Sequence, residues 1–168
     1  MSARELRSQS GFPANEIFVQ REAVAGPNNT VVNADITLDL EGETVIRIIG
    51  TEITFDSPVV GGTTKINGIA TLNPDKTTLA ENLTDRGDDD TIHEFTIEKD
   101  VITAVGVSHI KLSDYRQYSE HGITYAQQRF RFLFFSSVNL SGGFFSGALY
   151  YRLGTVTELN ALAILRRR

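Results

Sequence analysis

The sequence contains no cysteine, so disulfide bonds, thiol chemistry and cysteine-based zinc sites are excluded. It also lacks any apolar run close to the roughly 20 residues that a membrane-spanning helix needs. The longest candidate, Phe130 to Phe135, is interrupted by Arg131. The N-terminal residues carry arginine and no apolar stretch, so a secretion signal is not expected. These absences predict a soluble chain with neither a signal peptide nor a transmembrane segment.

The sequence also has no excess of positive charge. Lysine and arginine total 16 against 21 aspartate and glutamate, which gives a formal net charge of −5. That balance argues against a domain whose main surface grips nucleic acid. The basic residues do gather at the end of the chain, in Arg166, Arg167 and Arg168. If the protein touches a nucleic acid, we expect these three arginines to make the contact.

Carboxylates concentrate in one loop. They are Asp85, Asp88, Asp89 and Asp90. Several oxygen ligands on a flexible loop suit a hard cation such as Ca²⁺. Their spacing is not that of an EF-hand, so a solvated acidic loop is the alternative. A calcium site is a hypothesis for this loop, and no other cofactor is indicated.

Catalytic and nucleotide-binding motifs are absent. The segment Gly61 to Lys65 lacks the spacing of a phosphate-binding loop, and we interpret it as a hairpin turn. The segment Gly143 to Gly147 lacks the spacing of a nucleophile elbow. The three histidines, His93, His109 and His121, form no chelating pair. We therefore expect no enzyme, although catalysis by carboxylates alone stays open because the acidic residues offer too many pairs to nominate one.

What the sequence does contain is alternation of apolar and polar residues with a period of two. Between Val32 and Leu40 every second residue is apolar, which is typical of a half-buried strand. The predicted strands are Glu16 to Ala25, Val32 to Leu40, Thr44 to Phe55, Thr64 to Leu72, Thr91 to Glu98, Val101 to Ile110, Ile123 to Val138 and Phe144 to Thr157. With no helices between them, they predict an all-β, eight-stranded antiparallel sandwich.

Within the third predicted strand the apolar positions change phase. Ile46 and Ile48 occupy even positions, whereas Ile53 and Phe55 occupy odd ones. One inserted residue at a β-bulge returns both sets to one face, and glycine tolerates the backbone angles of a bulge. We therefore predict a bulge at Gly50.

The chain length suits one domain over residues 1–168. Its predicted parts are an N-terminal arm over residues 1–15, a long polar loop over residues 73–90 and a C-terminal tail over residues 158–168. Thr157 is a suitable N-cap for a short helix within that tail, and because such a helix is of marginal length, an irregular segment is the alternative.

The segment Tyr125 to Leu153 is apolar on both faces of its predicted strands. Phe130, Phe132 and Phe134 share one face, while Leu133 and Phe135 continue the other. Such a strand is buried on both sides, by a sheet on one and by a helix, a loop or another subunit on the other. The residues predicted to lie at a subunit interface are Leu133, Phe135 and Phe144.

About eight strands, a long excursion midway and an aromatic, arginine-punctuated last pair of strands resemble the single jelly-roll capsid proteins of small icosahedral viruses. The segments that carry the resemblance are Gln128 to Phe135 and Gly147 to Leu153. The resemblance implies a jelly-roll-like structural protein that self-assembles into an icosahedral shell and resides in a virion assembled in the host cytoplasm.

The implied partners are many copies of the same chain, other capsid proteins, and a viral genome or an internal membrane. One departure is that the first fifteen residues contain only two basic residues, whereas many coat proteins have a long basic arm. A ligand- or carbohydrate-binding β-sandwich module is the alternative, although tryptophan is absent and the aromatic residues concentrate in the apparent core.

Overall fold

The computed structural model describes residues 16–41, 44–59, 62–79, 90–101, 108–119 and 122–155. These residues form nine β-strands and no helix. The strands are β1 (Phe18–Ala25), β2 (Val31–Thr37), β3 (Thr44–Val59), β4 (Gly62–Thr71), β5 (Thr91–Val101), β6 (Ser108–Gln117), β7 (Ile123–Tyr125), β8 (Arg129–Ser136) and β9 (Phe144–Thr155). The predicted all-β class is therefore confirmed, with one strand more than expected.

The strands form two antiparallel sheets. The first sheet has the order β1-β9-β3-β6, with β7 also paired to β3, and the second has the order β2-β8-β4-β5. Most connections pass from one sheet to the other, and the first and last long strands lie side by side. This pairing order is that of a jelly roll, in which two Greek keys build a sandwich. Since β3 and β4 belong to different sheets, the interpretation of Gly61 to Lys65 as a hairpin turn is wrong.

The extra strand arises because Ile123 to Val138 is not one strand. β7 pairs with β3 in the first sheet, whereas β8 pairs with β2 and β4 in the second. The Tyr125 hydroxyl donates a hydrogen bond to the Arg129 carbonyl and so joins the end of β7 to the start of β8. Aromatic residues recur through both strands in the sequence. The pattern therefore did not indicate that the chain passes from the first sheet to the second between β7 and β8.

The strand β6 extends well beyond its predicted end at Ile110. It runs to Gln117 and pairs with β3 along the edge of the first sheet. The apolar alternation of Ile110 and Leu112 stops there, because Asp114 and Arg116 occupy the next positions of the same face. An edge strand needs less apolar surface than a central one, so its pattern carries a weaker signal.

The predicted bulge at Gly50 is confirmed. The register between β3 and β9 passes from Ile48↔Tyr151 to Gly50↔Tyr150, which leaves Ile49 as the extra residue. The expected reason for a glycine there was a positive φ. This reason is wrong, because among the described glycines a positive φ is found at Gly122 and not at Gly50. A Cβ atom at Gly50 would instead lie 2.8 Å from Tyr115 Cζ, so the glycine is needed for space.

The main core lies between the sheets. It contains the residues predicted to point inward on β8, Phe130, Phe132 and Phe134, together with Ile36 of β2 and Leu38 just beyond it. Aromatic rings pack edge to face along this core. The alternation in the sequence therefore identified the inner face of the second sheet.

Several predictions fall outside the described residues. They concern the N-terminal arm, the C-terminal tail with its short helix, and all of the long loop except residues 73–79 and Asp90. No helix long and apolar enough to cross a membrane occurs in the described part of the chain.

Candidate assembly surface

A loop of the same chain covers part of the outer face of the second sheet. Leu133 and Phe135 on β8 point away from the main core and pack with Ile69 on β4 and Leu79 in the loop. They form a second buried cluster in which Leu133 is 1% and Phe135 7% exposed. This placement corrects the expectation that a neighbouring subunit is needed to bury them.

Two arginines on β8 hold that loop against the sheet. Arg131 donates to both carboxylate oxygens of Asp35 on β2, each at 2.7 Å, and to the Lys76 carbonyl at 3.0 Å. Arg129 donates to the Pro74 carbonyl at 2.8 Å and to the Asp75 carboxylate at 2.6 Å. The bond from Arg131 lowers the pKa of Asp35, so this carboxylate stays ionised and the ion pair is retained well into the acid range.

Part of the outer face of the first sheet, here called the open face, is solvent-accessible among the described residues. Phe144, at the start of β9, is 66% exposed, the highest fraction among the large apolar side chains described. Its neighbours in the sheet are Ala25 on β1 and Asp56 on β3. Of the three predicted interface residues, Phe144 is therefore the one that lies on the surface.

An aromatic row crosses the other end of this open face. Val19 on β1 lies beside Tyr150 on β9, and the Tyr150 ring packs edge to face on Tyr115 of β6 at 5.2 Å between centroids. Tyr115 reaches across β3 above Gly50, where no side chain blocks it. Val19 and Tyr115 remain 53% and 50% exposed, so the row presents apolar surface to the outside.

Between Phe144 and the aromatic row lies a polar network centred on Glu52 of β3. Its carboxylate accepts hydrogen bonds from Arg21 at 2.7 Å, from the Tyr150 hydroxyl at 2.9 Å and from the Ser113 hydroxyl at 3.1 Å. Burial, followed by the bond to Glu52, raises the pKa of Tyr150. The three donors satisfy the Glu52 carboxylate within the chain. The network therefore holds these side chains in one arrangement on the surface.

His109 belongs to the same open face. Its Nε2 lies 2.6 Å from a carboxylate oxygen of Asp56, and the Lys111 ammonium lies 3.7 Å from the other oxygen. All three side chains are solvent-accessible. Together with Glu52 and Arg21 they give the open face both signs of charge.

His93 has a different environment, since it is buried between the two sheets. Its Nε2 lies 2.9 Å from the Asp114 carboxylate on β6, and its Nδ1 lies 2.9 Å from the Thr51 hydroxyl on β3. Because an ionised carboxylate can only accept, neutral His93 carries its hydrogen on Nε2 and its Nδ1 accepts from Thr51.

The Tyr118 hydroxyl extends this network. It contacts Thr51 at 2.9 Å and donates to the Ile92 carbonyl at 3.1 Å, and burial raises the pKa of Tyr118 to about 12. This network ties the edge strands β5 and β6 together.

Burial lowers the pKa of His93 below its usual value near 6.5, although Asp114 opposes the shift. Above that value the imidazole is neutral in both the folded and the unfolded chain. As the pH falls below it, the unfolded chain binds a proton first, so stability decreases until the folded pKa is reached. We expect this histidine to lower the free energy of unfolding with a slope of at most about 1.4 kcal/mol per pH unit.

Urea unfolding between about pH 5 and pH 8 measures this effect. The slope should be reduced in the variant His93→Gln and retained in the control His109→Gln, whose ring is exposed. Equal pH profiles for wild type and His93→Gln would contradict the assigned role.

The other predicted site residues are not brought together by the described structure. Asp90 is exposed, and its carbonyl accepts a hydrogen bond from the Leu72 amide. Asp85, Asp88, Asp89, His121 and the arginines Arg166, Arg167 and Arg168 lie outside the described residues. Within the described ranges no group of three potential metal ligands is found. The calcium hypothesis and the role of the terminal arginines stay predictions.

Sequence reasoning missed the polar network of the open face. Glu52 and Arg21 lie 31 residues apart in the chain, and Ser113 lies a further 61 residues beyond Glu52. Only the sheet order β1-β9-β3-β6 brings them together. The sequence did indicate that these residues occupy outward-facing positions of their strands. Many other surface residues do so too, and the pattern therefore could not single them out.

The jelly-roll class rests on the strand pairing described above. No protein-family profile matches the sequence. No curated protein matches it either. Among solved structures, a chain from Desmodium yellow mottle tymovirus is similar, with a TM-score of 0.42 and 6% sequence identity over 85% of this chain and 89% of that chain. At this score the likeness adds nothing to the fold assignment.

Proposed function

We propose that this protein is a structural subunit that assembles with copies of itself into a closed shell, in the manner of a viral capsid protein. The observation that carries the proposal is the contrast between the two outer faces of the jelly roll. The second sheet has a loop packed over its apolar residues, whereas the first leaves Phe144 and the aromatic row uncovered. Exposed apolar surface of this kind marks an interaction site.

A second copy of the chain is the occupant that we propose for the open face. The face presents Arg21 and Lys111 together with Glu52 and Asp56, so it carries both signs of charge. A symmetric contact places the same surface on both partners, and mixed charge lets that surface complement itself. A stable contact of this type buries on the order of 1,000 Å² or more.

A structural role also agrees with the polar groups of the open face. Glu52 is satisfied by its three donors, and Asp56 is held by His109 and Lys111. These groups hold the sheet surface in one arrangement, which favours recognition of a partner surface. Residence in a virion and contact with a genome, a membrane or other shell proteins belong to the same proposal.

Two phenylalanines provide a matched test. Phe144→Ala should weaken self-association by about 2 kcal/mol, because an exposed aromatic side chain at an interface is a typical hot spot. It should leave the melting temperature of the isolated chain nearly unchanged. Phe135→Ala removes the same side chain from the buried second cluster, so it should destabilise the fold by about 3 kcal/mol.

Light scattering over a concentration series measures association, and circular dichroism measures folding. The proposal predicts that Phe144→Ala shifts the association curve, while the melting temperature measured at concentrations where the chain is dissociated stays constant. An unchanged association curve for Phe144→Ala would contradict the assignment of this surface.

The aromatic row supports a second candidate, a carbohydrate-binding module. Tyr115 and Tyr150 present ring surface next to the Glu52 network, and sugar-binding sites combine aromatic rings with a few polar groups. Titration with a panel of oligosaccharides tests it. Binding that is lost in Tyr115→Ala, by a wild type that stays monomeric, would favour the module over the shell.

A further inference from the structure

The outer face of the first sheet contains two arginines that lie directly opposite each other. Arg47 on β3 is the register partner of Arg152 on β9. Both point away from the core, because Ile46 and Ile48 on either side of Arg47 are core residues. Directly opposed residues of an antiparallel pair have Cβ atoms about 5 Å apart, and like charges in such a pair repel.

Neither guanidinium has a charged partner among the described residues. Arg21, Arg129 and Arg131 each form an ion pair with a carboxylate, whereas Arg47 and Arg152 form none within the described part of the chain. The Nε of Arg152 is moreover buried without a hydrogen-bond acceptor. A buried charged donor without an acceptor is costly, so the arrangement calls for an acceptor from outside.

A threonine and a glycine lie beside the two arginines. Thr124 on β7 is the register partner of Arg47 on the other side of β3, and it is exposed. Gly154 on β9 has no side chain, and a Cβ there would approach Arg47 Nε and Val45 Cγ2 no closer than 3.9 Å. Two guanidinium groups and one hydroxyl therefore lie next to one another on a single face of the sheet.

We infer that Arg47, Arg152 and Thr124 form a binding site for a phosphate group. Guanidinium groups pair with phosphate through two parallel hydrogen bonds, and two arginines match its multiple oxygens and negative charge. The Thr124 hydroxyl adds a further donor. The phosphate group belongs either to a nucleic-acid backbone or to free phosphate, which share this chemistry. The inference does not depend on self-assembly.

Thermal unfolding of the full chain tests the site itself. The probe is inorganic phosphate against sodium chloride at matched ionic strength, with wild type, Arg47→Gln, Arg152→Gln and the control Arg116→Gln, an exposed arginine elsewhere. Phosphate should raise the Tm of wild type and of the control by about 2 °C or more. Both site variants should lose this rise.

The same experiment distinguishes a ligand site from a structural role. In phosphate-free buffer of low ionic strength, Arg47→Gln should be at least as stable as wild type, because it removes the repulsion between the opposed arginines. A lower Tm for both site variants in that buffer would show that the arginines are satisfied within the chain, and would overturn the inference. So would a phosphate response that both variants retain.

The source of the phosphate is tested by fluorescence anisotropy with a short labelled single-stranded oligonucleotide. If a nucleic-acid backbone is the ligand, Arg47→Gln/Arg152→Gln should bind about tenfold more weakly. The slope of log affinity against log salt should fall by about 0.7 for each lost phosphate contact. Equal binding by wild type and the double variant, with the thermal shift intact, assigns the site to free phosphate. Failure of both measurements would overturn the inference.

Discussion

Replacing Arg131 by alanine is expected to destabilise the protein by about 3 kcal/mol, because it removes both hydrogen bonds to the Asp35 carboxylate and leaves that carboxylate with the Arg129 guanidinium, at 3.9 Å, as its remaining charged partner among the described residues. Arg131 is buried, and it forms both hydrogen bonds to Asp35 and one to the Lys76 carbonyl. The substitution also removes one attachment of the loop that carries Leu79 over the second cluster. Urea unfolding of wild type and variant measures the change in the free energy of unfolding.

Arg129→Ala is the matched control on the same strand. Its carboxylate partners are Asp75, whose side chain is 86% exposed, and Asp35, whose carboxylate lies 3.9 Å from Arg129 Nε. An exposed or long ion pair of this kind contributes less than about 1 kcal/mol. The double variant Asp35→Val/Arg131→Met should recover much of the loss, since apolar side chains can replace a buried ion pair. Equal losses for Arg129→Ala and Arg131→Ala would contradict the pair of Arg131 and Asp35 as the main attachment of the loop.

Phe132→Ala is expected to cost about 3–5 kcal/mol, since it removes a fully buried ring from the centre of the main core. The Phe132 ring packs against the bare backbone of Gly147 on the facing strand β9. A Cβ atom at Gly147 would lie 2.5 Å from Phe132 Cδ1. The two positions therefore share one space between the sheets.

This sharing predicts a coupling between the two positions. Gly147→Ala alone should destabilise by about 1–3 kcal/mol through overpacking. Combined with Phe132→Ala, the same methyl group enters the space left by the ring, so the double variant should be more stable than the sum of the two losses implies. Chemical denaturation of the four proteins measures the coupling. Additive losses would show that the two positions do not share space.

Much of the fold follows from the sequence for a simple physical reason. A strand with one face in the core must alternate, as Val32 to Leu40 does, so alternation locates strands and their inner faces. The phase change around Gly50 located the bulge for the same reason. The extension of β6 to Gln117 was missed because an edge strand buries little and its alternation is interrupted. Pairing between distant strands leaves no local pattern, so the split between β7 and β8 was missed as well.

The candidate surface was less predictable than the fold. Phe135 and Phe144 occupy similar aromatic strand sequences. Phe135 is covered by Leu79, from a loop 56 residues away in the chain, whereas Phe144 is exposed. His93 likewise finds its partner Thr51 42 residues away, across the sandwich. Burial of an outward-facing side chain depends on which distant segment packs over it, and neither periodicity nor composition records that choice.

The native mass of the wild-type protein tests the central claim of self-assembly most directly. Light scattering over a concentration series, repeated across a range of salt and calcium, measures that mass without any substitution. The account predicts a large closed assembly of many copies, in which the two-fold contact on the face that carries Phe144 joins pairs of chains and contacts on other surfaces join the pairs. A wild type that stays strictly monomeric at high concentration under all of these conditions would contradict it.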